Sequence, residues 1–175
     1  MIPRPPPLGL AAVLVAAGLI PAAAAEASEG ENVLSASLGY AGYSLGDQDA
    51  SASGVRLGVE YERGVTEGLW LRGQLGGGAY PFGDLTFTGD AGVGVTYAID
   101  VLRYVPYVQG GVGALAVGGE GVDASVYPLI EVGAGLDVLR SRNFSYGIAA
   151  RVEAFVEGTA SVTAGARISY RWGFF

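Results

Sequence analysis

From Leu34 to Phe174 the chain alternates, again and again, between an apolar residue and a small or polar one. Leu34, Ala36, Leu38 and Tyr40 share one parity, and Ser35, Ser37 and Gly39 the other. Val55, Leu57, Val59 and Tyr61 oppose Arg56, Gly58, Glu60 and Glu62; Leu69, Leu71 and Leu75 oppose Trp70, Arg72, Gln74 and Gly76. The same period runs through residues 84–99, 126–138, 144–156 and 162–174. A period of two is the signature of a strand with two unlike faces. One further segment, Tyr104 to Val117, has an ambiguous phase. Val108, Val112, Ala114 and Ala116 agree, while Val105 and Tyr107 do not, and a bulge near Gly110-Gly111 would reconcile them. Helix is disfavoured throughout, because 30 of the 175 residues are glycine and each costs about 1 kcal/mol in a helix interior.

Eight strands result, most of about ten residues, which is the length a tilted strand needs to cross a bilayer. What separates this pattern from a soluble sheet is the content of the two faces. One face carries Leu, Val, Ile and aromatics. The other carries Gly, Ser and Thr, with charges of both signs at mid-strand. Only 15% of the chain is charged, too little to solvate the outside of a soluble barrel. Lipid excludes open sheet edges, so a spanning sheet must close on itself. The expected fold is therefore all-β, an eight-stranded antiparallel transmembrane β-barrel. Eight strands enclose a space that side chains just fill.

The charges expected inside are Arg56, Glu60, Arg72, Asp90, Glu131, Asp137, Arg151, Glu153 and Arg167. An unpaired buried ion costs several kcal/mol, so these should form a luminal ion-pair network. Arg171 shares their parity but stands near a strand end, where solvation is expected. Aromatics gather toward strand ends: Tyr40, Tyr61, Tyr80, Phe82, Tyr97, Tyr104, Tyr107, Tyr127, Tyr146, Trp172 and Phe174. Two interfacial girdles would be spaced in this way. The connections form two sets. Glu62 to Gly68, Asp100 to Arg103 and Leu139 to Asn143 carry Arg63, Arg103, Arg140 and Arg142. Ser44 to Ser53, Ala79 to Asp84, Gly118 to Asp123 and Glu157 to Thr159 are acidic, and Ser44 to Ser53 alone is long. Short turns face the periplasm and longer loops the exterior, which places Asp49 and Glu120 outside.

Residues 1–27 read as a cleaved signal peptide: Arg4, the apolar run Leu8 to Ile20, then Pro21 and a small-residue exit that allows cleavage after Ala25 or, as preferred, after Ala27. Residues 28–175 are then the barrel domain. The apolar run is too short to span a bilayer as a helix. The chain contains no His and no Cys, which excludes thiol chemistry, a Cys/His zinc site and a Ser-His-Asp triad. A net charge of −7 argues against a nucleic-acid partner. Gly118 to Asp123 fits a calcium-binding repeat only as a single copy, and Gly111 to Ala116 fits a dinucleotide motif that would have to open a helix. Neither is taken as a site. No catalytic residue, metal or cofactor is expected.

The C-terminal run from Arg167 through Tyr170, Trp172, Phe174 and Phe175 resembles the last strand of bacterial outer-membrane barrels. The chain is most similar to the small eight-stranded barrels of the OmpA/OmpX/OmpW-like type. Val105-Pro106-Tyr107-Val108 and the following Gln109-Gly110-Gly111 also resemble a stretch common among them. Ser169 stands where that group usually has Gly, and Phe175 lies one residue beyond its pattern. The resemblance implies export to the bacterial outer membrane. It also implies outer-membrane lipid, the barrel-assembly machinery and periplasmic chaperones as partners, with Tyr170, Trp172, Phe174 and Phe175 as the assembly signal. The enzymes among such barrels look to a His, so no catalytic residue carries over. A structural or surface-interaction role with a plugged lumen is expected; the alternative is a narrow channel or transporter for small solutes. Deleting Phe174-Phe175 should lower the amount of folded barrel in outer-membrane fractions and raise envelope stress; normal levels of the truncated chain would refute the assembly reading.

Overall fold

Each alternating segment becomes one strand. The computed structural model describes residues 30–44, 51–81, 86–99, 103–119, 122–155 and 160–173. The strands are β1 (Asn32–Ser44), β2 (Ser51–Thr66), β3 (Leu69–Tyr80), β4 (Thr86–Ala98), β5 (Tyr104–Gly119), β6 (Val122–Leu139), β7 (Phe144–Phe155) and β8 (Ala160–Trp172). Each pairs antiparallel with its neighbour in sequence, and β1 pairs with β8 to close the barrel. No helix is present among the described residues. The closing seam runs the full length of both strands, from Asn32↔Trp172 to Ser44↔Ala160. No strand edge is left open, the condition lipid imposes on a sheet. The signal-peptide residues, Asp49, Glu120, Phe174 and Phe175 lie outside the described residues.

At 12 to 18 residues, the strands are longer than the ten or so read from the alternation. They continue into what the pattern leaves as loops. β2 begins at Ser51, inside the segment Ser44 to Ser53, and runs to Thr66, so Glu62 belongs to a strand and not to a turn. The β2–β3 connection contracts to Glu67-Gly68, where Gly68 takes φ +78°, a conformation that disfavours any residue with a Cβ.

The parity of each strand decides its environment. Leu57, Ile130 and Ile148 point outward and stay 63%, 64% and 67% exposed. Arg72 and Glu153 point inward and are 3% and 1% exposed. This inverts a soluble protein, with apolar residues outside and charges within, and it fits a lipid solvent.

Two readings of the sequence are corrected here. β5 carries no bulge at Gly110-Gly111; its register with β4 is continuous from Thr86↔Gly119 to Ala98↔Tyr107. Val105 and Tyr107 simply face the lumen, where both are buried. The register shifts fall elsewhere, between Gly64 and Thr66 and between Val117 and Gly119. Among the described residues, which leave out Phe82 and Phe174, the outward-facing aromatics are concentrated at one end of the barrel. Tyr61, Tyr104, Phe144, Tyr146, Tyr170 and Trp172 are exposed on the outer wall at the end that holds both termini, called here the turn end. At the opposite loop end, Tyr40 and Phe87 face outward, but Tyr80 is buried inside and Tyr127 shares the inward parity of Leu129.

Leu57 lies near the middle of β2 on the outer wall. Leu57→Arg should lower the unfolding free energy in lipid vesicles by about 2–4 kcal/mol, read by urea titration; an effect near zero would remove that wall from the hydrocarbon.

Candidate functional site

The lumen is built by setting long side chains against residues that have none. Arg56 stands between Gly39 and Gly78 on the flanking strands. Arg72 faces Gly94, Gln74 faces Gly92 and Asp90 faces Gly76. Glu131 faces Gly111, and Gly133 lies between Gln109 and Arg151. Tyr107 faces Gly135 and Arg167 faces Gly147. The fit is close. A Cβ on Gly135 would collide with the Tyr107 ring, and one on Gly111 would stand 2.9 Å from Glu131 Oε1 and 3.1 Å from Arg72 Nη2.

The charged groups meet in three clusters. In the first, Arg72 and Arg151 share Glu60 and Glu131. Arg72 Nη1 lies 3.5 Å from Glu60 Oε1, and Nη2 pairs with Glu131. Arg151 pairs with Glu60 through Nη2, and its Nε lies 3.7 Å from Glu131 Oε2. Gln74 accepts from Arg72 at 3.0 Å and donates to Glu131 at 2.5 Å. Gln109, with its amide oxygen turned to the guanidinium groups, accepts from Arg72 at 3.1 Å and from Arg151 at 3.2 Å. β2–β3 and β6–β7 lie on opposite walls of an eight-stranded cylinder, so this cluster bridges the full bore.

In the second cluster, Arg167 Nη2 donates to Glu62 at 2.7 Å and to Ser35 at 2.8 Å. It also lies 3.6 Å from Glu60 Oε2, which links the two clusters. The Arg167 guanidinium sits 4.7 Å from the Tyr107 ring centroid, within cation–π range. Glu62 accepts from Thr96 at 2.6 Å. In the third, Arg56 pairs with Glu153 and lies 2.7 Å from Asp90.

Two residues depart from the expected network. Asp137 faces the lumen, but no guanidinium comes within ion-pair distance of it among the described residues; its hydrogen bond comes from the Ser169 hydroxyl at 3.4 Å. Arg171, expected in solvent, is largely enclosed, 3.9 Å from Glu31 and 6.0 Å from the Trp70 ring centroid. Sequence reasoning also missed Glu62, Gln74, Gln109, Ser35, Thr96 and Tyr107. Each carries the inward parity, the one signal that could have found it, but Glu62 reads from the sequence as the start of a turn, and a search for charge passes over neutral amides and hydroxyls.

The ends of the lumen differ from its middle. At the loop end, Leu115, Leu129 and Phe155 form an apolar cluster with Tyr43 and Val117 against it. At the turn end, Val33, Trp70 and Val105 are buried beside Tyr107. Small spaces remain in the lumen, within the turn-end layer and toward the middle. One of 20 Å³ is lined by Trp70, Tyr107, Asp137 and Arg167; one of 30 Å³ lies beside Arg56 and Arg151 along Gly39, Gly58 and Gly165. Each has room for roughly one or two waters.

This architecture recurs in solved structures. Neisserial surface protein A superposes with a TM-score of 0.71 at 14% identity, over 82% of this chain and 100% of that one. Ail, the attachment invasion locus protein of Yersinia pestis, gives 0.60 at 15% identity, over 83% and 100%. The outer-membrane enzyme PagL gives 0.52 at 16% identity, over 79% and 99%. No family model matches the chain, and no curated protein sequence matches it. The fold is therefore that of the small eight-stranded transmembrane barrels found in bacterial outer membranes.

Glu60 touches three arginines, whereas Asp137 touches none. Glu60→Ala should destabilise the barrel by about 3–5 kcal/mol and Asp137→Ala by roughly 1–2 kcal/mol, measured by urea unfolding in vesicles. Equal losses would show that the pairing does not set the stability of the lumen.

Proposed function

We propose that this chain is an exported outer-membrane barrel with a structural or surface-interaction role and a lumen closed by its own ion pairs. The observation that carries the reading is the cluster of Arg72, Glu60, Arg151 and Glu131, which joins opposite walls across the bore. Two guanidinium groups held between two carboxylates occupy the bore at that layer, which supports a closed lumen. The apolar cluster of Leu115, Leu129 and Phe155 adds a second barrier above it. Removing one member would strand a buried ion, so the closed state is the stable one.

Fold alone does not choose among functions. Of the proteins sharing this architecture, one is named a surface protein, one an attachment and invasion protein, and one an enzyme. The absence of His from this chain removes the commonest general base, and the hydroxyl that meets the arginine-free carboxylate of Asp137, that of Ser169, is buried in the lumen together with it. A non-enzymatic role follows in our reading, with outer-membrane lipid as the solvent of the wall and the assembly machinery and periplasmic chaperones as partners during biogenesis. Short turns in this architecture face the periplasm, which assigns the turn end to that side.

Conductance separates this role from the channel alternative. The purified protein in a planar bilayer should pass little or no steady current. Glu131→Ala should lower thermal stability and admit brief openings. Large, stable single-channel currents from the unmodified chain would overturn the plugged lumen and favour transport of small solutes.

A further inference from the structure

Every arginine among the described residues lies in one of two places. Arg56, Arg72, Arg151, Arg167 and Arg171 line the lumen. Arg63, Arg103, Arg140 and Arg142 are exposed, and all four stand at the turn end. Three of them gather on one side. The Leu139 amide donates to the Arg103 carbonyl at 2.9 Å, which sets Arg103 beside the β6–β7 turn. That turn carries Arg140 and Arg142, and it is closed by the Arg140 amide donating to the Phe144 carbonyl at 2.9 Å.

Directly on the membrane side of these arginines, Tyr104, Phe144 and Tyr146 are exposed on the outer wall. Tyr104 and Tyr146 both pair with Val138, on either side of β6. The wall thus changes, within two or three residues, from apolar side chains through tyrosines to guanidinium groups. This is the order in which a leaflet changes from acyl chain through glycerol to phosphate. Glu67, on the β2–β3 turn, is the carboxylate exposed on this rim among the described residues.

We infer that Arg103, Arg140 and Arg142, with Tyr104, Phe144 and Tyr146 below them, form a seat for the headgroup of an anionic phospholipid in the leaflet at the turn end. Guanidinium groups bind phosphate oxygens in paired hydrogen bonds, and clustered cations at a membrane surface retain anionic lipids. Arg63, exposed at the turn end of β2 beyond Tyr61, extends the rim without belonging to the cluster. The seat fixes the depth of the barrel as well as its lipid neighbours, since a shift along the bilayer normal would pull the phosphates off the arginines. The inference rests on the membrane-barrel reading above and commits to phospholipid as the source of the phosphate.

The test uses the full chain reconstituted in phosphatidylcholine vesicles with spin-labelled lipid probes, with folding followed separately by the gel shift on boiling. Phosphatidylglycerol should associate with the protein several-fold more strongly than phosphatidylcholine. The variant R103Q/R140Q/R142Q should keep its gel shift and lose most of that preference, whereas the corresponding triple lysine variant should keep part of it. R63Q alone should change it little. A folded protein with no preference, or a triple glutamine variant that retains it, overturns the seat and leaves the barrel intact. Stronger retention of lipid A than of phosphatidylglycerol at this rim overturns the assignment to phospholipid. A chain that shows no gel shift and no insertion overturns both readings.

Discussion

Backbone closure is the constraint from which the rest of this structure follows. Inside a bilayer no water is available to an unpaired N–H or C=O. The seam between β1 and β8 satisfies that demand over thirteen paired positions. Closing the sheet with eight strands fixes the bore at a width that side chains can fill. At mid-bore the filling is polar, because the alternation sets polar and small residues opposite the apolar ones that face lipid; apolar side chains enter the lumen toward its two mouths. The polar filling also has to be neutralised locally, because ions so enclosed are costly when alone. Glycine completes the logic. Arg72, Arg151, Glu131 and Tyr107 fit across a narrow bore because Gly94, Gly133, Gly111 and Gly135 stand beside them.

Much of this was legible in the sequence. Period-two alternation gives strand number, face and the identity of the inward ions, since one residue of shift would exchange every inside position for an outside one. Arg56, Glu60, Arg72, Asp90, Glu131, Asp137, Arg151, Glu153 and Arg167 could be named as inward for this reason alone. Partners could not be named, because pairing runs across the bore and depends on strand stagger. Arg56 with Glu153 and Arg72 with Glu131 join residues from different halves of the chain.

The misreadings share a cause. Val105 and Tyr107 read as out of phase because residue type alone sends large apolar and aromatic side chains to lipid. The lumen, however, needs apolar residues at its two mouths, and that demand overrides the simple rule. Tyr80, Trp70 and Leu115 follow the same demand. The pattern ends each strand too early because a loop residue and a strand residue such as Ser51 look alike where both are polar. Above the hydrocarbon the ladder can continue in water without any apolar face to mark it.

The bridging of opposite walls by Glu60, Arg72, Glu131 and Arg151 bears on how such a sequence can drift over time. A lipid-facing Leu can become Val or Ile with little effect, because lipid is a fluid neighbour that refits. A luminal position has no such freedom: a change at Glu131 must be answered on β3 or β7, and a side chain at Gly111 must be answered by a smaller partner. The inner face therefore diverges by coupled exchanges and the outer face by free ones. The same architecture is compatible with an overall identity of only 14%, as against Neisserial surface protein A. Ancestry in barrels of this kind should be sought along alternate residues, where the record is kept, and not along the chain as a whole.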